Sequence, residues 1–288
     1  MKTSTIRALV AGALLAVTCL AQAQTWPGQT IKIVVPFTPG TGMDTIARTV
    51  SPKLSERLGQ PVVVQNTPGA SGNIGADNVA KATPDGYTLL MGANTMLMAS
   101  QLYKNVPFNP VDDFSSVSMA AFGTLMLVAN PKTGIKSMQD LITQAKAKPG
   151  SVVYGSPGIG TPHHMAMELF KSKTQLFMLH VPYKGTAGYV TDLLAGELMV
   201  GFLPVHVAQG FVSSGKLTAL AVGGNTRHPV APNVATFQEL GVKDVNVDMW
   251  YAFFAPNKTP APVVNRLNTE IAAIMKLPEV RAVLSKAG

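Results

Sequence analysis

The chain alternates short, almost wholly apolar runs with segments of helical periodicity, and glycines, hydroxyls and prolines gather where one gives way to the other. "IKIVVPF" leads through "TPGTGMD" into a helical pattern over residues 45–58. "PVVVQN" leads through "TPGASG" into the short helical "NIGADNVAKA", and "YTLLMG" follows the turn signal Pro84-Asp85-Gly86. Strands this apolar need cover on both faces, and strands alternating with helices predict an α/β fold with parallel pairing. Loops that run from strand to helix in such sheets lie at the strands' C-terminal ends, where open sheets bind ligands.

Two long apolar runs divide the pattern. "SMAAFGTLMLVAN" (118–130) reads as one strand that passes from one domain to another. The alternation then restarts with a helix over 138–148, the strand "SVVYGS" and a helix over 162–170. Next come the strand "LFMLHVPY", a helix over 187–194 and the strand "ELMVGFLP". The helical "VHVAQGFVSSG", the strand "LTALAVGG" and a short helix in "NVATFQELG" complete the set. "VNVDMWYAFFAP" (245–256) is the second long run, followed by two helical segments, with Pro262 suited to a first turn. Two α/β units joined by two extended crossings predict two lobes. Residues 24–125 plus 248–288 form the first, and residues 126–247 the second.

The N-terminus is set apart from the fold. "MKTSTIR" carries Lys2 and Arg7 without an acid, "ALVAGALLAVTCLA" is apolar, and "AQA" ends at Ala23. This order predicts a signal peptide over 1–23, cleaved after Ala23, and therefore export to the periplasm. The apolar run of 14 residues is shorter than the roughly 20 that span a bilayer. Removing 23 residues from 288 leaves 265, enough for two domains. The single cysteine, Cys19, falls inside this segment, so thiolate catalysis, disulfides and cysteine metal sites are excluded from the mature chain. Without Lys2 and Arg7 the formal charge drops from +8 to +6, spread without a sustained basic cluster. That attracts small anions in a general way but does not make a nucleic-acid surface.

The strand-to-helix loops hold the candidate site. In "PFTPGTGMD", Gly40, Thr41 and Gly42 lack the third glycine of a dinucleotide loop, and no Gly-Lys-Ser/Thr follows, so a nucleotide is excluded. A nest of backbone N–H groups at a helix N-terminus near Asp44 suits a small anion, with Phe37, Thr38 and Met43 beside it. Asp44 is expected to cap the helix. In the second loop, Ser71 or Asn73 caps the next helix, and Asn73 is also a candidate ligand contact. In "YGSPGIGTPHHMAMELF", Ser156 and Thr161 are hydroxyl donors, Gly158 and Gly160 expose backbone, and Thr161 stands as N-cap before Pro162. His163 and His164 point about 100° apart on a helix and lack an acid or thiol at ligand spacing, which argues against a metal and leaves a histidine that caps or lines the cleft. In "VPYKGTAGYV", Tyr183 offers an apolar wall and one hydroxyl, Gly185 and Ala187 flank the turn, and Thr186 is the expected cap. Leu203 ends a strand without a polar group.

Catalysis has little support. Ser156 stands in "YGSPG", not in a Gly-x-Ser-x-Gly elbow, and no acid pair or histidine–acid pairing stands out. Nothing calls for a cofactor. Glycines, hydroxyls and caps with few charges are the inventory of a binding cleft.

The blocks "VPFTPGTGMD", "PVVVQNTPGASGNIGADNVAKATPDGYTLLMG", "YGSPGIGTPHHMAMELF", "HVPYKGTAGYVTDLLAGELMVGF" and "WYAFFAPNKTPAPVVNRLNTEI", in this order, resemble the extracytoplasmic solute-binding receptors of the tripartite tricarboxylate transporter family, often called Bug proteins. The likeness runs from about Gln29 to Ala287. It implies a type II periplasmic-binding fold, two lobes closing on a small organic acid, a monomeric receptor, and delivery to membrane permease subunits. It also implies that residues 38–43, 156–161 and 183–187 hold a carboxylate. Two positions depart from the family pattern. Thr41 stands for the second glycine of the first loop, and Leu203 stands where an aspartate is common. The second departure implies a plain or aromatic acid in preference to an amino acid.

Overall fold

The computed structural model describes residues 26–245 and 249–286. The expected signal peptide, Cys19 and Asp248 lie outside the described residues. Two five-stranded mixed sheets organise the chain.

The first half begins with β1 (Ile31–Val35), α1 (Gly42–Leu58), β2 (Val62–Asn66), α2 (Asn73–Ala80) and β3 (Thr88–Ala93). α3 (Thr95–Leu102) and β4 (Phe114–Gly123) follow. The chain then crosses into the second sheet through β5 (Leu125–Ala129), α4 (Met138–Ala147), β6 (Val153–Ser156), α5 (Pro162–Thr174) and β7 (Leu179–Pro182). α6 (Thr186–Ala195), β8 (Val200–Pro204), α7 (Val205–Ser213) and β9 (Thr218–Val222) complete that unit. It returns through β10 (Met249–Pro256) and ends in α8 (Ala261–Ile274) and α9 (Pro278–Lys286). The strand orders are β2-β1-β3-β10-β4 and β7-β6-β8-β5-β9.

Period-two alternation sorts the strand residues onto two cores. Ile31, Ile33, Val35, Leu89, Met91 and Phe253 face α1 and α8, together with Leu54, Leu267 and Ile271. Val34, Leu90, Ala252 and Phe254 turn to the opposite face, toward α2 and the α3 residue Met96. In the second sheet Leu127, Tyr154, Val200 and Phe202 pack on the α5 residues Met167 and Phe170, while Met126, Val128 and Leu203 pack on Tyr189 and Leu193 of α6 and on Ala208 of α7. Double-sided burial is why these strands carry almost no polar residues.

Parallel pairing holds for β1 with β2 and β3, and for β6 with β7 and β8. The crossing strands break the expectation: β10 is antiparallel to β3 and β4, and β5 is antiparallel to β8 and β9. A strand arriving from the other sheet has no crossover helix to reverse it, so it enters head to tail. Residues 118–130 are two strands, with Thr124 between the end of β4 in one sheet and the start of β5 in the other.

Three local expectations are corrected. α1 starts at Gly42, capped by Thr41, whose Oγ1 accepts from Asp44 N–H at 3.3 Å; Asp44 is not the N-cap. Neither Ser71 nor Asn73 caps α2, and Thr186 does not cap α6; glycines 72 and 185 hold those positions without a side-chain acceptor. Residues 233–241 do not form a helix. Thr236 and Glu239 exchange the two hydrogen bonds of a capping box, but Gly241 turns to φ 82° two residues later and stops the first turn. α3 had no reading from sequence. Among the described residues, no helix is long and apolar enough to cross a membrane.

Candidate functional site

The C-terminal ends of β1, β3, β6, β7 and β8 face one another across the two sheets, and a cavity lies between them. Phe37, Thr41, Gly42, Met43, Ala93, Asn94, Thr95, Met249 and Tyr251 line it from the first unit. Pro157, Thr161, Pro162, His163, Thr186 and Pro204 line it from the second. It holds about 40 Å³ of space open to the centre of a water molecule, room for roughly three waters.

No lining residue is Lys, Arg, Asp or Glu. The polarity comes instead from helix ends. α1, α3, α5, α6 and α7 all begin at lining residues: Gly42, Thr95, Pro162, Thr186 and the cap residue Pro204. First-turn N–H groups have no intrahelical acceptor, and each helix start carries about half a positive charge. Several starts aimed at one small space form an anion site without a counter-ion.

Glycines let the two units touch at the rim. A Cβ on Gly185 would fall 2.3 Å from Thr38 Oγ1, one on Gly158 2.6 Å from Ser71 Oγ, and one on Gly160 2.9 Å from Leu102 Cδ1. Gly42 is needed for a different approach, since its Cβ would stand 2.8 Å from Tyr251 Oη. Thr41 has ordinary extended backbone (φ −78°), and Gly40 takes the positive φ, at 84°.

The candidate residues from sequence separate into three groups. Phe37, Thr41, Gly42, Met43, Thr161 and Thr186 line the cavity. Gly40, Asp44, Ser156, Gly160 and His164 build the loops that present those residues, and Thr38 and Gly185 meet at the rim. The Asp44 carboxylate accepts from Gly40 N–H at 3.0 Å, from Arg48 Nε at 3.0 Å and from Asn66 Nδ2 at 2.9 Å. Burial pushes its pKa up, but those hydrogen bonds outweigh it and hold the carboxyl below its ordinary value. The remaining four stand away from the cavity wall. Asn73 lines a smaller void behind Phe37. Tyr183 donates to Asp192, Ala187 is exposed, and Leu203 is buried against the α6–α7 face. The inference drawn from an absent acid at 203 therefore loses its geometric basis.

Ser156 has the base that its sequence context did not reveal: His180 Nε2 lies 2.7 Å from its Oγ. The hydroxyl nevertheless points into the loop. It donates to Gly158 O at 3.1 Å, accepts from Gly158 N–H at 3.2 Å, and belongs to a residue with 0% exposure. His180 is stacked between Tyr154 and His164, and burial pulls its pKa down to about 4. The pair shapes a turn; a nucleophile would have to reach the cavity.

His163, not His164, lines the cavity. It is 7% exposed, neither ring nitrogen has a hydrogen-bond partner, and burial, followed by repulsion from His206, lowers its pKa to about 3. The sequence also left Asn94-Thr95, Pro204 and Tyr251 out of the site. "MGANT" repeats the strand–turn–helix order of the other loops, and that was the available signal. Among the described residues no group of histidines, cysteines and acids is placed to hold a metal.

Two mixed sheets, two chain crossings and a cavity floored by strand ends from both define a two-lobed ligand receptor of the type II periplasmic-binding class. The model of the tripartite tricarboxylate transporter family receptor matches residues 46–288, and the chain belongs to that family. It is 37% identical over 276 residues to a UPF0065 protein of Bordetella pertussis, covering 96% of this chain and 85% of that one. Among solved structures it is similar to Rpa4515 of R. palustris with adipate (TM-score 0.87, 33% identity, covering 91% and 88% of the two chains). It is also similar to MatC of Rhodopseudomonas palustris with bound malate (TM-score 0.87, 28% identity, covering 91% and 90%).

Proposed function

We propose that this receptor captures a small organic carboxylate between its lobes in the periplasm and delivers it to the permease subunits of a tripartite transporter. The observation that carries the reading is the convergence of helix N-termini on a cavity without a charged lining residue. The starts of α1 and α5 both lie at the cavity, so in this reading one carboxylate engages both lobes at once and favours their closure. Desolvation in the closed cleft strengthens those bonds. The similar structures solved with adipate and with malate support an acid as ligand. In this reading residues 24–125 plus 248–288 move as one lobe against residues 126–247, and the N-terminal 23 residues are removed on export.

Isothermal titration of the mature protein against aliphatic, hydroxy-, di- and aromatic carboxylates should find a 1:1 ligand. Mass spectrometry of acid released from freshly purified protein should identify the same compound. An absence of heat, thermal shift and co-purified acid across the panel overturns the reading.

A further inference from the structure

We propose that His163 is a specificity-determining residue that hydrogen-bonds an oxygen of the ligand beyond its anchoring carboxylate. The inference rests on the carboxylate reading of the cavity. Within the same loop cluster, His164 Nδ1 accepts from Gly160 N–H and His180 Nε2 bonds Ser156 Oγ, so both neighbouring imidazoles are used by the protein. His163 is the exception: it lines the cavity, is buried, and has both ring nitrogens without a partner. A neutral imidazole carries one N–H donor and one lone pair, and leaving such buried groups unsatisfied is costly.

The rest of the wall says which part of a ligand belongs there. Phe37, Met43, Met249 and Pro204 are apolar, the Thr41 and Thr161 hydroxyls are engaged within their own loops, and Asn94, Thr95, Thr186 and Tyr251 are the other polar side chains of the wall. The helix starts satisfy an anion, whereas His163 stays uncharged because of its burial and because of His206 beside it. An uncharged donor–acceptor is poorly suited to be the main counter-group for the anchoring carboxylate and well suited to a hydroxyl or the oxygen of a second carboxyl. A ligand with that oxygen recovers the unmet bonds, and a plain acid of the same length leaves them unmet.

The test uses matched pairs: propionate and lactate, butyrate and succinate, benzoate and 4-hydroxybenzoate, titrated calorimetrically into the mature protein. In at least one pair the oxygen-bearing acid should bind about tenfold tighter or more, the scale of one buried unmet bond. His163→Leu should shrink that ratio to within about twofold, whatever it does to the absolute affinities. His163→Asn, which keeps a donor and an acceptor, should restore part of it. In wild-type protein labelled with ¹⁵N-histidine, the His163 ring signals should shift with the oxygen-bearing acid and stay in place with its plain partner, a readout that needs no variant to fold. A ratio that survives His163→Leu, equal binding within every pair, or unmoved ring signals overturns the assignment while leaving the carboxylate reading intact. If neither these acids nor the wider carboxylate panel binds, the carboxylate reading fails and this inference falls with it.

Discussion

The loops that open α1 and α5 face each other across the cleft and use one device with two chemistries. Each has a glycine at positive φ (Gly40, 84°; Gly160, 78°) followed by a threonine N-cap in extended backbone (Thr41, Thr161). In each, the threonine Oγ1 accepts the N–H three residues on, and the side chain at that position reaches back to the glycine N–H. That reciprocal pairing is the logic of a capping box. In the first lobe the returning group is Asp44, an anion fixed by Arg48 and Asn66; in the second it is His164, a ring stacked on His180 at 4.2 Å. After the cap, α1 continues with Gly42, which keeps its N–H, and α5 with Pro162, which has none. The two loops differ in what it takes to undo them: the first is held by charge, the second by a neutral lone pair.

The largest effect is expected from removing the charged half. Asp44→Ala strands the Gly40 N–H and Asn66 and releases Arg48, which is half-exposed and rehydrates. The expected loss is about 2–3 kcal/mol, below the full cost of breaking a wholly buried ion pair, and is read from the shift in denaturant midpoint. His164→Ala should cost less than half of that. Equal losses would mean that charge adds nothing to the first loop.

Next is the residue after each cap. Gly42→Ala drives a methyl into Tyr251 Oη at 2.8 Å and should cost about 1–3 kcal/mol and weaken acid binding. Pro162→Ala, at the equivalent place, restores an amide but frees the unfolded chain, and should cost about 1 kcal/mol or less. Thr41→Ala and Thr161→Ala should each cost about 1 kcal/mol, and calorimetric melting of the pair tests whether the two caps are equivalent.

The smallest effect separates the lobes by pH. Burial lowers the His164 pKa from its ordinary 6.5, with Glu168 opposing and Lys171 assisting. The neutral ring's contribution is therefore complete above 6.5 and is lost as pH falls toward and through the lowered value, when Nδ1 gains a proton and stops accepting from Gly160. Asp44 is held below 3.8, so its loop persists to more acid conditions. In a ¹H–¹⁵N titration carried down from pH 6.5, the Gly160 amide should move before the Gly40 amide does; the reverse order would break the comparison. His180 and His206, both lowered to about 4 by burial, are also neutral in the fold and add to the same acid-side loss.

Much of this architecture could be read in advance because local signals and tertiary demands agree. β1, β3 and β8 are apolar on both faces and bounded by turn residues, and Thr161-Pro162 has the chemistry of a helix start. What escaped depends on partners distant in sequence. β5 and β10 look like any other buried strand, and only their origin in the opposite sheet makes them antiparallel. Tyr251 reaches the cavity because β10 lies beside β3, which no local pattern states. The reading from sequence favours His164 over its neighbour His163, but the direction of α5 puts His163 at the cavity. α3, "TMLMASQL", is apolar around most of its surface and so lacks the one-sided stripe that marks a helix. "NVATFQELG" shows the opposite failure, a valid start signal with no room to propagate before Gly241.

The crossing strand β10 has an optical consequence. Trp250, one of two tryptophans in the chain, is half-buried next to the cavity residue Tyr251 and packs on Phe254. The other, Trp26, rests against Tyr87 at the start of the first unit. A strand that receives the chain on its return to the first sheet and touches the cavity places this indole where ligand arrival is expected to change its surroundings. Tryptophan emission, with Trp26→Phe to remove the bystander, would then follow ligand arrival in unlabelled protein at stopped-flow speed.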